Sequence, residues 1–289
     1  MFWWLAIFTE LVLEAWIAVR YRQIAREHRD TALRQTALMY IWGVFPIALV
    51  ATLVFGVRVY LISVYNTLLI ATGACLYVIA NIMIYRVYTR LEASLYAIVN
   101  TSKFVVTIVL AHVILSDTLS LPQWLGAVLI IVSSVSFAFI VYRRSHKKLL
   151  KRYIIMAFLA SVLISFATLI ERVALTTVPI ATYMIIGWGT QALILSWLVG
   201  KRDPRALLPV RPGNRAIIGL GSIRGLAGVC VVYAMAATQN AALVSSIAAS
   251  KVIVVALIGY LFLHERSALG WRFGLAGLAF VGVVMIITG

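Results

Sequence analysis

Two stretches of this chain place a lysine where a lysine is costly. SKFVVTIVLAHVILSD begins at Ser102 and SKVIVVALIGYLFLHE at Ser250. In both, an apolar run separates the lysine from an acid 14 residues on, Lys103 from Asp117 and Lys251 from Glu265. An ionised lysine at the centre of a bilayer costs roughly 2.5–3.5 kcal/mol on insertion scales. Both lysines lie too far from the ends of their apolar segments for easy snorkelling, so they should face protein or water and meet anions. Two roles fit them, contact with an anionic substrate or structural pairing with a buried carboxylate.

Carboxylates of that kind stand in the first apolar segment. Glu10 and Glu14 are four residues apart, on one helical face with Trp3 and Ile7. A carboxylate withdrawn from water can take up and release protons near neutrality, which a proton-coupled transporter needs. The other reading is that they neutralise Lys103, Lys251 or Arg224. Arg224 sits within GLGSIRGLAG, where the glycines let the helix loosen or a neighbour approach. It is either a third cationic contact or an anchor reaching the cytoplasmic face. Tyr77, Asn81 and Tyr85 recur at i, i+4 and i+8, and Ser161, Ser165 and Thr168 form a second polar stripe. Such stripes line a cavity or face neighbouring helices. Asn100, just ahead of Lys103, joins the candidate substrate contacts with Tyr77, Asn81, Tyr85, Ser161 and Ser165.

The remaining chemistry is sparse. Cys75 and Cys230 lie apart in apolar segments, and the histidines have no metal-ligand spacing. No glycine-rich phosphate loop and no nucleophile–base pair stands out, so neither a cofactor, a metal nor an enzyme is expected.

The elements that must position these residues are membrane spans. Hydrophobic residues make up 63% of the 289, against ~45–50% for a soluble domain. Runs of ~20 apolar residues cross a hydrocarbon layer ~30 Å thick. Ten such segments are expected, at 2–19, 35–55, 60–85, 93–115, 121–142, 153–175, 178–199, 215–237, 241–263 and 268–288. The first carries two glutamates and lacks the basic region and cleavage site of a signal peptide, so it reads as a retained helix. The net charge of +16 would suit nucleic acid, but its placement argues otherwise. Of the 25 basic residues, 20 lie in or beside alternate loops, six of them in RRSHKKLLKR, whereas the opposite face has only Arg58 and Arg172. Basic loops stay cytoplasmic, which puts both termini outside. The partners expected are therefore a lipid bilayer and a small-molecule substrate, and not nucleic acid.

A shift of 148 residues superposes one half of the sequence on the other without a gap. Asn66 then falls on Asn214, Gly73 on Gly221, Tyr85 on Tyr233, Ser102 on Ser250, Lys103 on Lys251 and Gly126 on Gly274. Residues 1–142 form one five-helix unit, 143–152 a basic cytoplasmic linker, and 153–289 the second unit. Five is odd, so the second unit enters the membrane from the other side. The expected fold is all-α and integral to the membrane, with ten transmembrane helices in two inverted five-helix repeats and a site near the midplane.

The unit LEASLYAIVNTSKFVVTIVLAHVILSDTLSLPQWLGAVLIIV and its copy NAALVSSIAASKVIVVALIGYLFLHERSALGWRFGLAGLAFV resemble the EamA-like repeat of the drug/metabolite transporter superfamily. Asp117 and Glu265 match its acid, and Gly126 and Gly274 its glycine. The resemblance spans nearly the whole chain and implies a transporter of amino acids, drugs, sugar phosphates or nucleotide sugars. It departs from the family in two places. Many EamA-like exporters carry a proline near the positions of Lys103 and Lys251, and lysines there look more like the phosphate-binding branches. The family also keeps both termini cytoplasmic, against the charge count.

Three functions follow. The first is a secondary active transporter for a small anionic or zwitterionic metabolite, with Lys103, Lys251 and Arg224 on its negative group and Glu10 or Glu14 coupling protons. The second is a proton-coupled exporter of cationic or aromatic drugs, with the glutamates as the site. The third is a non-transporting scaffold or lipid-binding subunit in the same bilayer, which gains little from buried charges. The chain is expected in a prokaryotic cytoplasmic membrane, as a monomer or a homodimer, with Gly270, Gly274 and Gly277 packing tightly against a neighbour.

Overall fold

The computed structural model describes residues 3–27, 32–55, 62–115, 120–144, 148–201, 204–209, 214–238, 244, 248 and 269–288. Regular structure among them is helical, with no strand. The helices are α1 (Trp3–Glu27), α2 (Ala32–Phe55), α3 (Val64–Tyr88), α4 (Ala93–Asn100), α5 (Ser102–Leu115), α6 (Leu121–Arg144), α7 (Lys148–Leu175), α8 (Ile180–Gly200), α9 (Asn214–Thr238) and α10 (Leu269–Thr288). Six stretches are long and apolar enough to cross a membrane: Ala32–Phe55, Val64–Tyr88, Leu95–Ile114, Lys151–Leu175, Ile180–Gly200 and Asn214–Thr238. The chain is an integral membrane protein. The expected segment 241–263 lies almost wholly outside the described residues, and Lys251 and Glu265 with it.

Local chemistry sets the helix ends. The Ser63 hydroxyl accepts the Asn66 amide at 3.2 Å and starts α3. Ser120 and Gln123 form a reciprocal capping box at the start of α6. The Ser120 amide donates to Gln123 Oε1 at 2.9 Å, and the Gln123 amide donates to Ser120 Oγ at 3.3 Å. Within spans, hydroxyls donate back one turn, Thr36 to the Ala32 carbonyl and Thr72 to the Leu68 carbonyl, each at 2.8 Å. These hydroxyl hydrogens are then satisfied within their own helix.

Two helices are interrupted. In α2, residues Tyr40–Val44 widen into a π-turn, with the Phe45 amide reaching the Tyr40 carbonyl. Pro46 explains it, because a proline ring clashes with the carbonyl four residues back and offers no N–H. The second interruption is at Thr101, which separates α4 from α5 directly before Lys103. Ser102 Oγ donates to the Val99 carbonyl at 2.7 Å and the Phe104 amide to the Thr101 carbonyl at 3.1 Å, so the break stays hydrogen-bonded.

Among the described residues the most extensive helix contacts pair α6 with α10, α2 with α9, and α3 with α7, followed by α2 with α8 and α1 with α9. Helix α2 packs against both α8 and α9, and α3 also packs against α8. Large apolar side chains such as Trp4, Phe8, Leu53, Val54, Leu68 and Leu193 stay exposed and form the lipid-facing surface. Helix α9 comes unusually close to α2. A Cβ on Gly43 would lie 2.6 Å from the Gly221 backbone, so the contact requires glycine. The glycines around Arg224 therefore do admit a neighbour, and that neighbour is α2.

A Cβ at Gly270, Gly274 or Gly277 would meet no described atom within 4 Å, so within the described residues the tight contact of α10 lies elsewhere. That contact is at Gly282, where a Cβ would come 2.6 Å from the Gly126 carbonyl oxygen.

Candidate functional site

A cavity of about 210 Å³ lies within the bundle, and α1, α2, α3, α4, α5, α7, α8 and α9 all contribute to its wall. Its polar lining includes Glu10 and Glu14 from α1, Tyr77 and Asn81 from α3, Asn100 from α4 and Lys103 from α5. Helix α7 adds Thr168 and Glu171, α8 adds Gln191, and α9 adds Arg224. Both helix interruptions abut it. Tyr40 and Val44 of the π-turn are in the wall, as are Asn100 and Lys103 on either side of the Thr101 break. Irregular backbone at membrane depth is tolerated where protein or a cavity surrounds it.

Arg224 is placed by the close approach of α2 and α9. Its guanidinium donates to Asn81 Oδ1 at 2.7 Å and lies 6.0 Å from the centre of the Tyr21 ring. The Tyr40 hydroxyl also hydrogen-bonds to it, and Glu14 is near enough to interact with it electrostatically. Arg224 thus points into the bundle, as the third-cation reading required, rather than out to a membrane face. Asn81 is 1% exposed, and its amide donates to the Tyr77 carbonyl at 2.7 Å, which fixes the amide with its oxygen toward Arg224.

One turn earlier on α3, the Tyr77 hydroxyl donates to Glu171 Oε2 at 2.7 Å and lies 3.3 Å from the Thr168 hydroxyl. Tyr183 of α8 is also hydrogen-bonded to Glu171. Glu171 is 5% exposed. It was not expected from the sequence, where it stands beside Arg172 near a segment end. Its signal is its place three residues after Thr168, next to it on the same side of α7. Gln191, 4% exposed, was likewise missed as a lone amide in an apolar run.

On α1, Glu10 is 4% exposed and is the more buried of the two glutamates. Lys103 lies in the same cavity wall, its ammonium 4.9 Å from the centre of the Phe104 ring. Not every candidate reaches the cavity. Ser161 Oγ donates to Asn100 Oδ1 at 3.2 Å, and Ser165 Oγ donates to the Lys103 carbonyl at 2.7 Å. These serines brace α7 against the broken segment instead of lining the space. Tyr85 is fully buried against the Tyr21 ring, with centroids 5.4 Å apart. Lys251 is outside the described residues.

No family model and no curated protein matches the sequence. A solved structure, described only as the crystal structure of a protein, is similar over 98% of this chain and 97% of its own. The TM-score is 0.68 at 16% identity, a likeness of fold alone.

Proposed function

We propose that the chain is a secondary active transporter that moves a small anionic or zwitterionic metabolite by alternating access. The observation that carries this reading is the cavity itself. It lies among spanning helices, it is lined by Arg224 and Lys103 together with Glu10, Glu14 and Glu171, and the two interrupted helices border it. A scaffold gains little from gathering so many ionisable groups around one cavity, because withdrawing each from water costs free energy. At about 210 Å³ the space is below the ~300–1,000 Å³ typical of drug-sized ligands and suits a smaller molecule.

The architecture we propose is ten helices in two inverted five-helix halves of the EamA-like kind. Packing supports it. The 148-residue shift carries α3 onto α9, α7 onto α1, α2 onto α8 and α6 onto α10. It therefore exchanges the α3–α7 pair with α9–α1 and the α3–α8 pair with α9–α2, and all four pairings are present. A twofold axis between halves requires that exchange. The basic loops then put both termini outside.

One observation favours the second reading, export of cationic or aromatic compounds. Three carboxylates face two cations in the described lining, and Tyr21, Tyr40, Tyr77, Tyr88, Tyr96 and Trp188 share the wall. Cation–π contact would suit a quaternary amine. Thermal unfolding of the purified protein with amino acids, sugar phosphates, nucleotide sugars and quaternary amines separates the two. Stabilisation by carboxylates, phosphates or zwitterions supports the first reading, and stabilisation by quaternary amines alone supports the second. A protein that none of these ligands stabilises would speak against both.

A further inference from the structure

We infer that Glu171, with Gln191, forms a cation subsite that takes the primary ammonium group of the transported molecule, at a place in the cavity distinct from the Arg224 anion subsite. This rests on the transporter reading above and adds the polarity of its ligand.

Three observations carry it. Glu171 lines the cavity and is almost completely buried, and the partners described for its carboxylate are the hydroxyls of Tyr77 and Tyr183, which bring no charge. A desolvated carboxylate is stable where a cation or a proton neutralises it. Gln191, also buried, lines the same cavity, and its Oε1 has no hydrogen-bond partner among the described residues. A buried acceptor left unmade costs about 1–3 kcal/mol, which a ligand donor would offset. Lastly, Glu171 and Arg224 do not neutralise each other. Tyr77 holds one and Asn81 the other, a single turn apart on α3.

A ligand with both an ammonium and a carboxylate matches this division. Its ammonium, with three N–H donors, faces the acceptors of α7 and α8. Its carboxylate faces the fork of Arg224, with Lys103 in the same cavity wall. A purely anionic ligand would leave the Gln191 oxygen unpaired and bring a second negative charge toward Glu171.

The test uses three probes that share one carbon skeleton: leucine, isocaproate (leucine without its amine) and isoamylamine (leucine without its carboxylate). Binding to the full-length protein in detergent is read by titration calorimetry and by the shift in Tm. For the wild type, leucine and isoamylamine are expected to bind. In Glu171→Gln, isoamylamine affinity should fall roughly tenfold or more, the scale of a hydrogen bond to a charged group, while isocaproate loses no affinity. Gln191→Leu, which keeps the carboxylate, should weaken both amine-bearing probes and spare isocaproate, so the test survives if the glutamate variant does not fold. Undiminished isoamylamine binding in both variants, or none by the wild type, overturns the inference. If isocaproate alone binds the wild type, the cation subsite is lost while the reading as a transporter of anions stands.

Discussion

Asn81 and Arg224 meet across the interface of α3 and α9, the asparagine carbonyl accepting from the guanidinium at 2.7 Å. The pair is the hinge of the site's electrostatics. The Asn81 amide is fixed by the Tyr77 carbonyl, and the Tyr77 hydroxyl is fixed by Glu171. A short polar run on one helix therefore sets the position of a cation and an anion that come from two others.

Removing Asn81 should cost more than its size implies. Asn81→Leu keeps most of the volume but leaves a buried guanidinium short of an acceptor. A hydrogen bond to a charged group contributes about 1.5–3 kcal/mol, so denaturant unfolding in detergent should show a loss of that order. Asn81→Asp keeps an acceptor and should lose much less. Equal stability of Asn81→Leu and the wild type would mean that Arg224 is satisfied elsewhere.

The approach of α2 to α9 makes an opposite pair of glycine predictions. Gly43→Ala forces a Cβ to within 2.6 Å of the Gly221 backbone, and overpacking of this kind costs about 1–3 kcal/mol. Gly270→Ala meets no described atom within 4 Å and should change stability by no more than about 0.5 kcal/mol, or gain slightly from helix propensity. Thermal unfolding of the two variants side by side checks this. Equal losses would show that the contact is looser than its geometry.

Lys103 faces the cavity from beside a broken helix, and Lys→Met keeps the stem while removing the charge. If an anionic group of the ligand binds it directly, Lys103→Met should weaken binding of that ligand by roughly 2–5 kcal/mol without unfolding the protein. The same loss is expected for Lys251→Met if the halves are symmetric. Normal binding and transport in both variants would make the lysines structural.

We propose that a carboxylate of α1 couples protons, with Glu10 favoured because it is the more buried of the two glutamates. Uptake into vesicles by Glu10→Gln should lose its dependence on an imposed pH gradient, since the amide cannot carry a proton across. If Glu10→Gln, Glu14→Gln and the double variant all keep that dependence, coupling lies with another group.

Much of this site was legible in the sequence because charge and amide groups are rare in apolar segments and stand out wherever they occur. Lys103, Glu10, Glu14, Asn81 and Arg224 were found that way, and the structure brings all five to one cavity. What failed was the fine angular reading. Eight residues at 100° each leave Tyr85 about 80° round the helix from Tyr77, enough to turn it from the cavity onto Tyr21. Glu171 was hidden by its neighbour Arg172, a charge that read as the border of the membrane. The π-turn of α2 had only Pro46 as a sign, and a proline in a span does not say whether the helix will kink, widen or end.

The central claim is that the cavity opens alternately to the two sides of the membrane, and one measurement tests it without knowledge of the substrate. Ala97 lines the cavity and is half-buried. Ala97→Cys, made in a protein with Cys75 and Cys230 replaced by alanine, is exposed to a charged, membrane-impermeant thiol reagent in right-side-out and then inside-out vesicles. The expected result is labelling of the same cysteine from both sides, with each side's rate changed when a bound ligand shifts the equilibrium. Labelling from one side only, in the presence and absence of ligand, would contradict alternating access at this cavity.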